Sequence, residues 1–466
     1  MTLKRLIPLL ILILGLGIIT SCDSDNDNPP PVDPESNEAV NRWTSDIMNQ
    51  VYLWLAEIRT PIDESAAPED YFESLLNTPT DRFSEIFPNY DELIGGLTGV
   101  TLDAGYEFNL FRAAPGSNDV FAEVAYVKKM SPASEAGLMR GDRITQINGT
   151  TMTVDNFQEL LGQIDEPHTV NYQSFNENIG DYEDAGQLSL TPVQLTENPN
   201  FLDSIYVIDN QKIGYAIYHF FTPGPDLNSD FYDDQMDQIF ARFKAEGINH
   251  LIIDFRYNSG GFVSSAVNLA SLVAPNVTDG DIFSKTRYNS FLEQFEDFQN
   301  VQTEFRTKAE NLGSILTGNR VYILTSARTA SASELVVNGL RPYMDVKLIG
   351  DVTVGKNVGS IPFQDEQNPS NNYGLLPIVT RSSNSLDESD YGNGFTPDIQ
   401  ALERTERLLP LGDVNELLLR TAIEDITGNA SSGRFQKLDR VDLGSTLDRK
   451  IRFGKMIEQP VQTFRY

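Results

Sequence analysis

His250-Leu-Ile-Ile-Asp-Phe-Arg-Tyr-Asn-Ser-Gly-Gly261 begins with a short, nearly all-apolar run and ends on a glycine pair. A run this apolar and this brief reads as a strand buried on both faces, as in a parallel sheet. A helical pattern follows from Val263 to Leu272, and the same alternation continues on both sides. Upstream, Lys212 to His219 reads as a strand, and Phe231 to Phe243 as an amphipathic helix with Tyr232, Met236, Ile239, Phe240 and Phe243 on one face. Downstream, Val321 to Thr325 is a strand, Glu334 to Leu340 a helix and Val346 to Ile349 a strand. Such alternation predicts an α/β core, here over about residues 200–427.

Nearer the N-terminus, Val40, Trp43, Ile47, Val51 and Trp54 recur at spacings of three and four and predict a small helical N-terminal domain over residues 38–90. Both tryptophans read as core. Residues 91–195 read as short strands around one helix. Within them, Ser131-Pro-Ala-Ser-Glu-Ala-Gly-Leu-Met-Arg-Gly-Asp-Arg-Ile-Thr-Gln-Ile-Asn-Gly149 resembles the core of a PDZ domain. The features are a short helix ending at Gly137, the turn Arg140-Gly-Asp142, and a strand closing on Asn148-Gly149, itself a hairpin signal. Such domains capture peptides by adding a strand to a sheet edge. The resemblance makes Leu97, Thr98, Gly99 and Val100 the loop that grips a terminal carboxylate. A purely structural β domain is the alternative.

The chain has 466 residues, enough for two or three cores, and its 40% apolar content with 26 Phe and 18 Tyr excludes a wholly disordered protein. A formal charge of −32 argues against a nucleic-acid partner. Lys4 and Arg5 precede an apolar run from Leu6 to Ile19, which is too short to span a bilayer comfortably and has the order of a secretory signal. The run ends at Ile-Thr-Ser-Cys22, and Cys22 is the only cysteine. This resembles the lipobox of bacterial lipoproteins, in which that cysteine is acylated; an ordinary signal peptide is the alternative. The expected order is therefore a signal peptide over 1–21, lipidation at Cys22, a proline-rich tether over 22–37, and an extracytoplasmic, membrane-anchored body. Asp23, Asp25 and Asp27 imitate the start of a calcium loop, but the twelfth position is Pro34. The tail, 428–466, is basic: from Arg434 onward it carries eight Lys/Arg against four Asp/Glu.

Candidate chemistry gathers at Thr329-Ala-Ser-Ala-Ser-Glu334 and at Val354-Gly-Lys-Asn-Val-Gly359. Ser331 stands where a strand gives way to a helix, so unpaired N–H groups and the helix dipole favour an anion there. The same residues also read as a capping box, with serine at N-cap and glutamate at N3. A lysine that accepts a serine proton must be neutral, which requires lowering its usual pKa of about 10.4 by about 3 units. Gly350-Asp-Val-Thr-Val-Gly-Lys356 imitates a phosphate-binding loop, but Asn357 stands where Mg²⁺ needs Ser or Thr. His168, His219 and His250 sit at separate strand ends, the pattern of structural histidines rather than a metal site.

Asp254-Phe-Arg-Tyr-Asn-Ser-Gly-Gly261, Thr329-Ala-Ser-Ala-Ser-Glu334, Val354-Gly-Lys356 and Gly394-Phe-Thr-Pro-Asp398 together resemble the C-terminal processing peptidases over most of residues 40–427. The resemblance implies a PDZ domain inserted before a crotonase/ClpP-like α/β core, and a Ser/Lys dyad without cofactor or metal. It implies Ser331 as nucleophile, Lys356 as general base, and Ala332 with Gly260 and Gly261 at the oxyanion hole. Substrates would be unfolded or tail-exposed proteins bound by their C-termini. One departure stands out. Ser360 occupies the place of a glutamine that orients the family's lysine, and Asn357 that of a glycine; Ser360 or Gln364 is the candidate substitute. If that support is lost, the alternative is a non-catalytic peptide-binding lipoprotein with the same fold.

Overall fold

The computed structural model describes residues 33–430, 437–448 and 456–458. The expected signal segment, Cys22 and most of the tether lie outside the described residues. Helix α1 (Asn37–Val51) starts at Ser36, whose side chain accepts from the Ala39 amide. Its Ile47, Met48 and Val51 pack on Tyr71, Phe72 and Leu75 of α2 (Pro68–Leu75), with Trp43 and Trp54 half-buried on the same cluster. Strand β1 (Glu85–Phe87) leads to α3 (Tyr90–Thr98), which Asn89 caps and Gly99 ends in the left-handed region. Helix α3 straddles the expected boundary at residues 90–91. Its Leu93 and Leu97 pack with Phe87, Phe262 and Leu376, so it belongs with the N-terminal helices and the core rather than with the β unit that follows.

That unit comprises β2 (Val100–Asp103), β3 (Tyr106–Arg112), β4 (Val120–Val127), α4 (Pro132–Glu135), β5 (Arg143–Ile147), β6 (Thr150–Thr151), α5 (Phe157–Leu161), β7 (His168–Asn176), β8 (Asp181–Leu190) and β9 (Val193–Thr196). Its sheet runs β3-β4-β5-β7-β8, and β2 pairs with β9. Asn148 and Gly149 have φ of 51° and 73°, the two positive values that a type I′ hairpin turn between β5 and β6 requires.

The core opens with the hairpin β10 (Asn200–Ile208) and β11 (Gln211–Tyr218), then α6 (Phe231–Glu246), β12 (His250–Asp254), β13 (Gly261–Phe262) and α7 (Val263–Val273). It continues through β14 (Ile282–Arg287), β15 (Val301–Glu304), β16 (Arg320–Thr325), α8 (Ala332–Leu340), β17 (Asp345–Gly350), β18 (Val358–Ser360), β19 (Phe363–Gln364), β20 (Gly374–Leu376), β21 (Ile378–Ser383), β22 (Ile399–Gln400) and α9 (Leu417–Thr427). The main sheet is ordered β10-β11-β12-β16-β17-β22 and is parallel from β11 to β22. Alternate strand residues explain the layers. Leu251, Ile253, Val321 and Ile323 pack against α6, α7 and α8, while Ile252, Tyr322 and Leu324 pack against α9. A second sheet has the order β13-β24-β18-β21-β14-β15, where β24 is Met456–Ile457; β23 (Asp442–Ser445) lies alongside β3. Among the described residues no helix is long and apolar enough to cross a membrane.

Candidate active site

Strand β16 ends beneath a turn that delivers Ser331 to the start of α8. Ser331 is fully buried with φ 62° and ψ −115°, a backbone conformation that strains any residue with a Cβ by about 1–3 kcal/mol. A serine acting only as a cap takes ordinary extended backbone and accepts a bond from the helix. Here the Ser331 N–H donates to Glu334 Oε2 at 2.8 Å. The hydroxyl faces the Glu334 amide as in a capping box, but it has no hydrogen-bond partner among the described residues. Capping alone does not account for the strain.

Glu334 does more than the sequence pattern suggested. Its Oε2 also accepts from the Lys356 N–H at 2.8 Å, while Oε1 accepts from the Gly355 N–H at 2.7 Å and the Thr353 hydroxyl at 2.5 Å. One buried carboxylate thus fastens the main chain at Ser331 to the main chain at Lys356. Burial pushes this carboxyl above its usual range, and the bonds from Thr353, Lys356, Ser331 and Gly355 pull it back. The sequence showed an acid three residues after Ser331; it could not show the partners about twenty residues further on.

Lys356 is fully buried, with Nζ 4.9 Å from the centre of the Phe83 ring. The neighbouring Arg82 donates to the carbonyls of Gly355 and Gly392, each at 3.3 Å. The N-terminal helical unit therefore supplies part of the lysine's surroundings, which the sequence did not suggest. The fourth motif supports the loop from behind. Phe395 N–H donates to Thr353 Oγ1 at 2.8 Å, and Leu348 N–H to Asp398 Oδ2 at 2.8 Å. Gly355 has φ 83°, and a Cβ there would lie 2.4 Å from Gly394 N, so only glycine fits. Of the two candidate substitutes for the missing glutamine, Gln364 is excluded because it is solvent-exposed on β19. Ser360 is buried on β18, its hydroxyl without a partner among the described residues. Asn357 anchors the loop elsewhere, donating to Ser389 O at 2.7 Å.

The glycine pair packs directly on the nucleophile candidate. A Cβ on Gly260 would lie 2.7 Å from Ser331 Cβ and 3.1 Å from Ala332 N. The Gly260 N–H is not available to an oxyanion, however, because it donates to Asn258 Oδ1 at 2.9 Å. This corrects the expectation for Gly260, whose place is close approach rather than donation. Ala332 stands at the first helical position, where the N–H has no acceptor within its own helix. Asn258, which the sequence reading passed over, is fully buried and organises the loop. It donates to Tyr218 O at 2.8 Å and accepts the Ser333 hydroxyl on its carbonyl at 3.1 Å. Beneath it, buried Arg256 joins Asp254, Glu403 and Glu416.

The predicted peptide-gripping loop is also corrected. Leu97 and Thr98 form the buried last turn of α3, whose amides serve the helix; the Gly99 N–H donates to Gly95 O, and Val100 begins β2. Leu97 and Gly99 nonetheless line a cavity shared with Ala104, Lys128, Gly260 and Gly261, which connects the β unit to the glycine pair. The histidines have separate partners: His168 lies 2.8 Å from Tyr106 Oη, His219 3.2 Å from Glu197 Oε1, and His250 3.1 Å from Gln211 Oε1.

Fold and site together define a serine-type peptidase whose α/β core carries a PDZ module. Family profiles agree: peptidase family S41 matches residues 212–401, the S41 N-terminal domain residues 39–85, and a PDZ domain residues 123–172. The chain is 22% identical over 366 residues to a carboxyl-terminal-processing protease of Synechocystis, covering 76% of this chain and 78% of that one. It is 23% identical over 361 residues to the chloroplastic C-terminal processing peptidase of Tetradesmus obliquus, covering 73% and 69%. A crystal structure from Bacteroides fragilis, assigned to the S41 proteases, superposes with a TM-score of 0.69 at 28% identity, over 83% of this chain and 97% of that one. The chain belongs to peptidase family S41, the family of the C-terminal processing serine proteases.

Proposed function

We propose that this chain is an extracytoplasmic endopeptidase that cleaves unfolded or tail-exposed proteins through Ser331 and Lys356, with the PDZ module holding the substrate's C-terminal region. The observation that carries this reading is the Glu334 carboxylate, which fastens the backbone of a strained, unengaged serine to that of a buried lysine. The reaction requires Lys356 as a neutral amine, and its side chain is fully buried. Ser331 Oγ attacks the scissile carbonyl carbon as its proton passes to Lys356 Nζ. The tetrahedral oxyanion is met by the Ala332 N–H beside the Gly260-Gly261 pair; one such donor contributes about 3 kcal/mol in acyl transfer. The C–N bond then breaks, and the lysine returns the proton to the departing amine. Water cleaves the resulting ester with its proton again taken by Lys356, and Ser331 regains its hydrogen as the acid leaves. The basic-then-apolar leader and Cys22 support delivery across a membrane and anchoring by a lipid.

The test is cleavage of an unfolded protein by the purified chain and by Ser331→Ala and Lys356→Ala. Both variants are expected to lose at least about a thousandfold in kcat/KM while still binding a C-terminal peptide. Equal cleavage by wild type and Ser331→Ala would sink the proposal.

A further inference from the structure

The basic tail meets the cavity and the site in its stretches 437–448 and 456–458. Its first described stretch, 437–448, runs along the edge of β3 that faces away from β4. Strand β23 is antiparallel to β3, with Gly444 opposite Leu110 and Ser445 opposite Asn109. Thr446 N–H donates to Phe108 O at 3.1 Å, Phe108 N–H to Thr446 Oγ1 at 3.0 Å, and the Ser445 hydroxyl to Phe108 O at 2.7 Å. Arg440 forms an ion pair with fully buried Glu123. Thr446 lines the cavity that ends at Gly260 and Gly261, and Asp448 pairs at 2.9 Å with Arg328, three residues before Ser331.

The second stretch, 456–458, enters the site itself. Strand β24 lies between β13 and β18 and is parallel to both: Met456 stands opposite Gly261 and Gly359, Ile457 opposite Phe262 and Ser360. Glu458 N–H donates to Ser360 O at 3.1 Å, and the Ser382 hydroxyl to Met456 Sδ at 3.0 Å. One wall of this slot is the strand joined to the nucleophile's glycine pair; the other follows directly on Lys356. The tail thus adds a strand at the edge of a PDZ sheet, the mode by which such sheets take peptides, and then a strand beside the reacting residues. Its charge suits the place, since 434–466 carries eight basic and four acidic residues in a chain of net charge −32.

We infer that the chain's own C-terminal segment is the resident occupant of two strand-docking edges, the outer edge of β3 and the slot between β13 and β18, and that an extended substrate enters by displacing it. The inference rests on the peptidase reading above. It also assigns the chemistry of the incoming strand. Such a strand presents a cation opposite Glu123 and, five residues later, hydroxyl side chains opposite Phe108, as Arg440, Ser445 and Thr446 do. A tethered strand acts at an effective concentration of about millimolar, so a free peptide competes poorly while the tail is attached.

Three forms test this: the chain ended after Ala430, the full chain with Arg440→Glu and Thr446→Pro, and a synthetic peptide of residues 437–458. Expected are a rise of about tenfold or more in kcat/KM on an unfolded protein for both altered chains. The peptide should inhibit the shortened chain competitively and the full chain at least tenfold more weakly. Calorimetric binding of the peptide to the shortened chain carrying Ser331→Ala reads docking without cleavage. Folded variants with unchanged rates and no peptide binding overturn the inference. So does failure of both altered chains to fold, which would make the tail a structural strand. If the full chain cleaves with Ser331 dependence and none of these responses appears, only this inference falls. If no form cleaves, the peptidase reading falls with it.

Discussion

At Ser331 the protein accepts strain that a change of residue would relieve. Glycine tolerates positive φ without a Cβ penalty. Ser331→Gly is therefore expected to abolish cleavage while raising stability by about 1 kcal/mol over Ser331→Ala, which keeps the Cβ. Equal unfolding midpoints for the two variants would argue against stored strain. Glu334 acts by placement rather than by touching substrate. Glutamine keeps its shape but turns one acceptor oxygen into a donor, facing either the Ser331 and Lys356 amides or the Gly355 amide and Thr353 hydroxyl. Since a misplacement of about 1 Å can cost a hundredfold, Glu334→Gln is expected to lower kcat by about that factor with KM changed less than threefold. A loss confined to KM would assign Glu334 to substrate binding instead.

Among the elements, the turn after α4 ties the PDZ module to the core. Arg140 donates to Leu409 O at 2.7 Å and to Glu403 at 2.6 Å, with Tyr257 Oη and Ala125 O also in reach at 2.5 Å. Burial raises the Glu403 carboxyl, but Arg140 and Arg256 outweigh it and lower the group to about 2. Removing one partner from a buried charge pair costs about 3–5 kcal/mol, and Arg256 remains to compensate. Arg140→Met is therefore expected to destabilise the chain by about 3 kcal/mol in urea unfolding, with Arg140→Met/Glu403→Met recovering part of the loss. An additive double variant would deny the coupling. This link also marks what the sequence could convey. Apolar runs and glycines announced β12, α7, β16, α8 and β17 nearly residue for residue, because periodicity records burial by neighbours along the chain. Arg140-Gly-Asp142 was readable as a turn, but not as the contact of Arg140 with residues more than two hundred positions away. For the same reason Ser331, Glu334 and Lys356 were legible as motifs, while the Glu334 bonds to the Lys356 loop and the places of Phe83 and Asn258 emerged only with the fold. The Leu97 to Val100 stretch misled because Gly95, Gly96 and Gly99 suggested a loop, whereas Leu93 and Leu97 bury a helical face against Phe262 and Leu376.

For the molecule as a whole, pH is a lever on stability, and buried carboxyls, Asp233 and Glu458 foremost, set its direction between pH 6 and pH 8. Asp233 lies in the first turn of α6, only 8% exposed. Burial raises its carboxyl to about 7, against the nearby Ser265 hydroxyl and Arg306, which pull it down. A carboxyl whose folded value lies above its unfolded value of about 3.9 binds its proton more tightly in the native state. It therefore contributes stability that is fully present below about pH 3.9 and is lost as pH rises through about 7. Between pH 6 and pH 8 the loss from this one group amounts to about 1.4 kcal/mol. Glu334, also raised by burial, acts in the same direction. The expected outcome is a lower urea midpoint at pH 8 than at pH 6, with the difference reduced by about 1.4 kcal/mol in Asp233→Asn, which cannot ionise. A variant that keeps the full pH slope would remove Asp233 as its source.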